Sequence, residues 1–263
     1  MSQREMVYLG NNRALTRTIF GHKMFVSTKD VSLTPHILLD GLWEPHISKV
    51  FVQVVRDGMT VVEIGANIGY YTLIAASMVG ERGRVITFEP DPDNFELLFR
   101  NVEINGFMGR VTTEKKAVFD RTGTLRFSRY KYHQGSNTVG EVAKVHLDQW
   151  RDEVEVIEVE AVSLDEYLPG NTKVDLIKMD AEGAEPFIFA GMMNIVRNNP
   201  NIAIFCEFAP ALVSGVGKDP RFFLEELQNE GFKLRYIDAD SKVVNISVEN
   251  LLEMPHSELF LTR

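Results

Sequence analysis

The sequence predicts an α/β fold: a doubly wound, seven-stranded, mostly parallel sheet with an N-terminal cap and an insertion between its third and fourth strands. Three observations carry this. From Gly58 onward, short apolar runs of strand length alternate with helical patterns, as a parallel sheet covered on both faces requires. A glycine-bearing turn, Gly65-Ala66-Asn67-Ile68-Gly69, joins the first of these strands to the first helix. A chain of 263 residues that is 44% apolar can bury a sizeable core without disulfide staples.

In chain order, residues 1–57 form the cap. Ala14 to Phe20 and Met24 to Ser27 flank Gly21-His22 like a short hairpin. Beyond Asp30 come two helices, the second spacing Ile47, Val50, Phe51, Val54 and Val55 at helical intervals. The cap is too small to fold alone. Residues 58–263 form the main domain, with strands expected at Thr60 to Ile64, Arg84 to Glu89, Val111 to Lys116, Val174 to Met179, Ile202 to Glu207, Lys233 to Ile237 and Glu258 to Thr262. Helices are expected at Tyr70 to Val79, Asp91 to Asn105, Ala184 to Asn198 and Pro220 to Glu230. The long interval Ala117 to Lys173 breaks this rhythm and holds an insertion, residues 121–168. Excursions of this kind at a sheet's end are often binding loops, so substrate contacts are placed there.

Composition excludes several classes of function. The net charge of −9 opposes a nucleic-acid partner, because phosphate binding leaves a basic patch or stripe. The basic-aromatic cluster of Arg126, Arg129 and Lys131 with Phe127, Tyr130 and Tyr132 reads as a solvated strand edge. The histidines (His22, His36, His46, His133, His146 and His256) never fall at metal-ligand spacing. The single cysteine, Cys206, sits in the apolar run from Ile202 and reads as a core residue, which fits a reducing compartment. No run is long enough to cross a bilayer, and the first thirty residues lack a secretory apolar stretch, so the expectation is a soluble, cytoplasmic protein of unknown oligomeric state.

The chemistry concentrates at strand ends. Val61-Val62-Glu63-Ile64 runs into the glycine turn and then a helix, so backbone approaches a ligand at a helix N-terminus. A dinucleotide fingerprint wants glycine where Asn67 stands, so that the chain can lie against a pyrophosphate. S-adenosylmethionine (SAM) carries no pyrophosphate, and its ammonium and sulfonium suit the carboxylate of Glu63. Glu89 closes the next strand, where such folds place the acid that accepts hydrogen bonds from ribose hydroxyls. Ala117 and Val118, at the third strand's end, would approach an adenine ring. The fourth strand ends at Asp180 near the switch point of the sheet, so Asp180 should face the cofactor's reactive end, with Glu182 close by and Glu185 capping the next helix.

Three segments resemble the FkbM-type methyltransferases: Glu63 through Thr72, Phe88-Glu89-Pro90-Asp91-Pro92, and Asp175 through Glu185 with its Asp-x-Glu-Gly-x-Glu ending. Gly41-Leu42-Trp43-Glu44 and Glu207 match as well, and the resemblance covers roughly Gly41 to Glu207. Many members have aspartate at the position of Glu63, so the carboxylate is kept. The resemblance implies a Rossmann-like class I SAM-binding fold and O-methylation of a hydroxyl on a sugar, glycan or secondary metabolite. It implies that Gly65, Asn67, Gly69 and Glu89 hold SAM, with Ala66, Tyr70, Thr72, Pro90 and Asn94 as neighbouring cofactor contacts. Glu44, His46, His133, Ser136 and Glu207 are the candidate acceptor contacts.

Methyl transfer is an in-line displacement, so alignment supplies much of the catalysis. An alcohol also needs a base, and Asp180 is the first candidate, with Glu182, His46 or His133 as others. In an alternative that is not favoured, Asp180 and Glu182 hold a divalent cation that lowers the hydroxyl's pKa. A non-catalytic SAM-binding protein, or less readily a nicotinamide-dependent oxidoreductase, would share the loop.

Overall fold

A computed structural model of the chain describes residues 6–139 and 152–263. Residues 1–5 of the cap and 140–151 of the insertion, His146 among them, lie outside the described residues.

The main sheet has eight strands in the order β14-β13-β15-β12-β11-β4-β5-β6. Five of them, β4 (Thr60–Ile64), β5 (Arg84–Phe88), β6 (Val111–Glu114), β11 (Leu176–Met179) and β12 (Ala203–Phe208), run parallel. β15 (Ser257–Leu261) lies antiparallel between β12 and β13 (Arg235–Ile237). The seven expected strands are all present. The eighth, β14 (Val243–Asn245), pairs with β13 at the edge; its residues are all exposed, so no apolar alternation announces it.

Alternate residues of the central strands feed two cores, which is why these strands read as continuous apolar runs. Val62, Ile64, Ile177, Met179, Ile204 and Cys206 face a cluster built with Phe189, Phe208, Phe223 and Leu227. Val61, Leu176 and Phe205 face the other, built with Phe51, Ile74 and Leu98. The cap shares this second core: the Phe51 ring, on helix α2 (Pro45–Val54) after the short α1 (Thr34–Leu39), lies 5.0 Å from that of Tyr71 and 5.4 Å from that of Phe205.

Two expectations need correction. The cap hairpin spans β2 (Arg13–Arg17) and β3 (Lys23–Ser27), shorter than Ala14 to Phe20, and a third strand, β1 (Val7–Gly10), pairs with β2. The single helix expected from Ala184 to Asn198 is two, Glu185–Ala190 and Met193–Asn198. The second has its own cap, because the Asp165 carboxylate accepts from the backbone N–H of Asn194 and of Ile195, both at 2.9 Å. At the break, a Cβ on Gly191 would sit 2.0 Å from the carbonyl oxygen of Phe119, so only glycine lets the insertion's root pack there.

The insertion is a small sheet of its own, β7 (Ala117–Val118), β10 (Val154–Val162), β8 (Gly123–Tyr130) and β9 (Thr138–Val139) in that order, with a 3-10 turn at Gln134–Ser136. The turn lies beside the ends of β4, β5 and β11, with which it lines a common cavity.

Helix α4 (Pro92–Ile104) ties cap to loop through Asn101, which is fully buried. Its Nδ2 donates to the carbonyls of Ile68 (2.8 Å) and Phe25 (3.0 Å), and its Oδ1 accepts from the N–H of Phe25 (2.6 Å). Asn101→Leu strands three backbone groups and should lower unfolding free energy by about 3 kcal/mol, measured by urea denaturation. A loss under 1 kcal/mol would show that the cap is held by apolar contact alone.

Candidate active site

The carboxyl ends of β4, β5, β11 and β12 open into a cavity of about 380 Å³. Its lining brings together Glu44, Glu63, Gly65, Ala66, Asn67, Tyr70, Glu89, Pro90, Asn94, Ala117, Val118, Ser136, Asp180, Glu182 and Glu207, all singled out in the sequence.

Gly65 has φ +77°, and a Cβ there would lie 1.8 Å from the carbonyl oxygen of Asp180, so the ends of β4 and β11 approach closely only because residue 65 has no side chain. Asn67 holds a left-handed conformation (φ 51°) and directs its backbone N–H at Glu89, 2.7 Å away. The other oxygen of Glu89 accepts from the N–H of Asp91 at 2.8 Å. This carboxyl is clamped at the end of β5 but keeps lone pairs for a ligand.

At the cavity's other end acids crowd together. Asp180 accepts from the Lys178 ammonium at 3.0 Å, and Lys178 lies over the Tyr71 ring, 4.7 Å from its centre. Tyr71 in turn donates to Glu44 at 2.8 Å. Glu207 accepts from the backbone N–H of Glu182 (3.3 Å) and pairs with His256 Nε2 at 3.0 Å. Ligand atoms of Asp180, Glu182 and Glu207 all fall within 4.8 Å of one another.

Burial sets the protonation of these groups. It raises Glu63 to about 7 and Glu89 to about 8, the latter with help from the neighbouring charge of Asp91. Burial, then repulsion from Glu207 and Asp180, lifts Glu182 well above the usual carboxylate range, and burial with nearby acids puts Glu185 at about 8 and Glu207 at about 7. Asp180 goes the other way: burial opposes its charge, but the ammonium of Lys178, the hydrogen bond with Glu207 and the charge of His256 together hold it below the ordinary value. The hydrogen bond to Glu207 raises His256 to about 9.

Four sequence candidates do not line the cavity. Thr72 is fully buried behind Glu63, to which its hydroxyl donates, so it orients that carboxyl instead of touching a ligand. Gly69 (φ +90°) starts helix α3 (Tyr70–Met78) and gives room to Leu98, whose Cδ1 would lie 2.7 Å from a Cβ there. His133 pairs with Asp152 through Nδ1 at 2.8 Å, and His46 lines a neighbouring hollow. Glu185, expected to cap the helix it begins, does not: the N-cap is Ala184 with no side-chain bond, and the Glu185 carboxyl instead accepts from the N–H of Ala181 in the preceding loop at 2.8 Å. The basic-aromatic cluster resolves into internal pairing, with Arg129 bound to Asp91 (2.8 Å) and Asp93 (2.6 Å).

Lys178, His256, Trp43, Tyr71, Gln134 and Asn137 also line the cavity and were not singled out. Lys178 left a signal, a lone cation inside the apolar run Leu176-Ile177-Lys178-Met179, which must find a counter-charge when buried. His256 left none, since nothing in the sequence sets it opposite Glu207.

The model of the methyltransferase FkbM domain matches residues 63–234, more than half of the chain and the whole stretch from Glu63 past Glu207. The chain belongs to the FkbM methyltransferase family. Among curated proteins it is similar to methyltransferase sdnD of Sordaria araneosa (27% identical, 52% of this chain and 63% of that protein). It is also similar to methyltransferase 1 of Beauveria bassiana (26%, 52% and 59%), so the match spans about three-fifths of these relatives' length. Among solved structures, TYW2 of P. horikoshii in complex with MeSAdo shares the fold (14% identical, 98% of this chain and 72% of that one, TM-score 0.50). The structure thus has the class I methyltransferase arrangement that the FkbM motifs imply.

The buried acids make ligand-free stability pH-dependent. Glu63 and Glu89 have folded values of about 7 and about 8, above their ordinary 4.5, so the stability they contribute is complete below 4.5 and is lost as pH rises through the folded values. The unfolding midpoint should fall between about pH 5 and pH 8, and the double variant Glu63→Gln, Glu89→Gln should flatten that fall; scanning calorimetry across this range decides it.

Proposed function

We propose that the chain is a SAM-dependent O-methyltransferase acting on a hydroxyl of a small molecule or glycan. The observation that carries this reading is the cavity's division into two ends. One end has Glu89 clamped by two backbone N–H groups, the apolar wall of Ala117 and Val118, and Asn94, whose buried Oδ1 has no partner among the described residues. A ribose with a flat ring fits this chemistry: Glu89 accepts from hydroxyls, the wall takes the ring, and the orphaned oxygen of Asn94 gains a donor. The other end has the acids around Lys178, which suit positive charge and a hydroxyl acceptor.

SAM, when bound, supplies an electrophilic methyl on a sulfonium, and transfer forms a C–O bond, breaks the C–S bond and releases the hydroxyl proton. The chain's part is to orient and to hold that proton. Asp180, kept ionised by Lys178, accepts the hydrogen bond of the acceptor hydroxyl and aligns its oxygen. Glu207, balanced near neutrality and paired with His256, is placed within 4.8 Å of Asp180 to carry the proton onward. Turnover should therefore rise with pH through about 7, as the Glu207 carboxyl ionises.

Asp180→Asn should bind S-adenosylhomocysteine as the parent does and lose ~10²–10⁴-fold in turnover. Retention of full turnover would remove Asp180 from the reaction. Glu89→Ala should weaken S-adenosylhomocysteine by roughly tenfold or more, the loss of one or two hydrogen bonds to it, as titration calorimetry would report. The three carboxylates could alternatively hold a divalent cation; on the reading preferred here activity survives exhaustive chelation.

A further inference from the structure

A second hollow, of about 520 Å³, lies between the start of α2 and the β13–β15 end of the sheet. Glu44 and His256 line both hollows, so the second adjoins the acidic end of the first. Its lining includes Asp240, whose side chain is 76% exposed, and Glu258, which is 4% exposed.

Two features mark it as built for a ligand. Glu258 lines the hollow, and its Oε1 is buried with no hydrogen-bond partner among the described residues, so an acceptor in the hollow's wall is left unsatisfied. Charge is also unbalanced: Lys178 is bonded to Asp180 and is the one ammonium in electrostatic range of both Glu44 and Glu258. With the His256 imidazolium, which lies in range of the same groups, two positive charges thus serve the four acids Glu44, Asp180, Glu207 and Glu258. Glu44 is held rigidly, since its backbone is left-handed (φ 43°) and its side chain is fixed by the Tyr71 hydroxyl at 2.8 Å.

We propose that this hollow is the acceptor subsite, and that it takes a small acceptor carrying a protonated amine beside its hydroxyl groups. The amine donates to Glu258 and restores the charge balance, while a hydroxyl is presented past Glu44 and His256 toward Asp180. This rests on the methyltransferase reading, and it moves acceptor selection from the insertion to the junction of cap and C-terminal strands.

The test compares glucosamine with glucose, two sugars that differ in one amine, by titration of the full chain with and without saturating S-adenosylhomocysteine. Glucosamine should bind at least tenfold more tightly. Glu258→Gln should cut that preference to under twofold while S-adenosylhomocysteine affinity stays at the parent value, which also certifies its fold. Should that variant not fold, His46→Lys, which sets a second cation on the hollow's wall, should produce the same loss. Equal binding of the two sugars overturns the proposal, as does a preference that survives these substitutions or Mg²⁺ binding there while the amine does not. Failure of S-adenosylhomocysteine to bind overturns the methyltransferase reading instead, and the sugar comparison without it still decides the subsite.

Discussion

One buried ammonium organises the reactive end of this protein. Lys178 sits in a central strand with its residue 2% exposed, where an unpaired charge would be very costly. Its counter-charges come from different elements: Asp180 from the end of β11, Glu44 from the start of α2 and Glu258 from β15, with the Tyr71 ring of α3 beneath. Removing the ammonium would leave these acids buried together, so their convergence and that of the elements bearing them depend on it.

Strain is concentrated at the same place. Glu44, Asn67 and Glu182 all adopt left-handed backbone conformations without being glycine, and all line the cavity. Such residues persist only where surrounding contacts impose them, and here each aims a group inward. Asn67 turns its N–H onto Glu89, Glu182 turns its N–H toward Glu207, and Glu44 sets its carboxylate on Tyr71. The Gly65 contact with Asp180 completes the arrangement by bringing the two halves of the site to touching distance.

The insertion acts as a cover over this arrangement. Asn94 donates to the carbonyl of Gln134 at 3.2 Å, Asn137 to Asp91 at 3.3 Å and Thr138 to the carbonyl of Glu182 at 3.0 Å. These bonds bind it to both ends of the cavity.

Periodicity and punctuation determined the parallel sheet, the glycine turn, Glu63, Glu89 and Asp180, because these signals are local: a strand, a turn and an acid at its end lie within a few residues of one another. The break at Gly191, the edge strand β14 and the retreat of Thr72 behind Glu63 were not local, since each depends on what a distant segment packs against. The pairing of His256 with Glu207, the service of one lysine to three carboxylates and the second hollow were decided by tertiary structure alone. They join residues from the cap, the centre and the end of the chain, and no spacing in sequence can encode a distance that only the closed sheet brings within hydrogen-bonding reach.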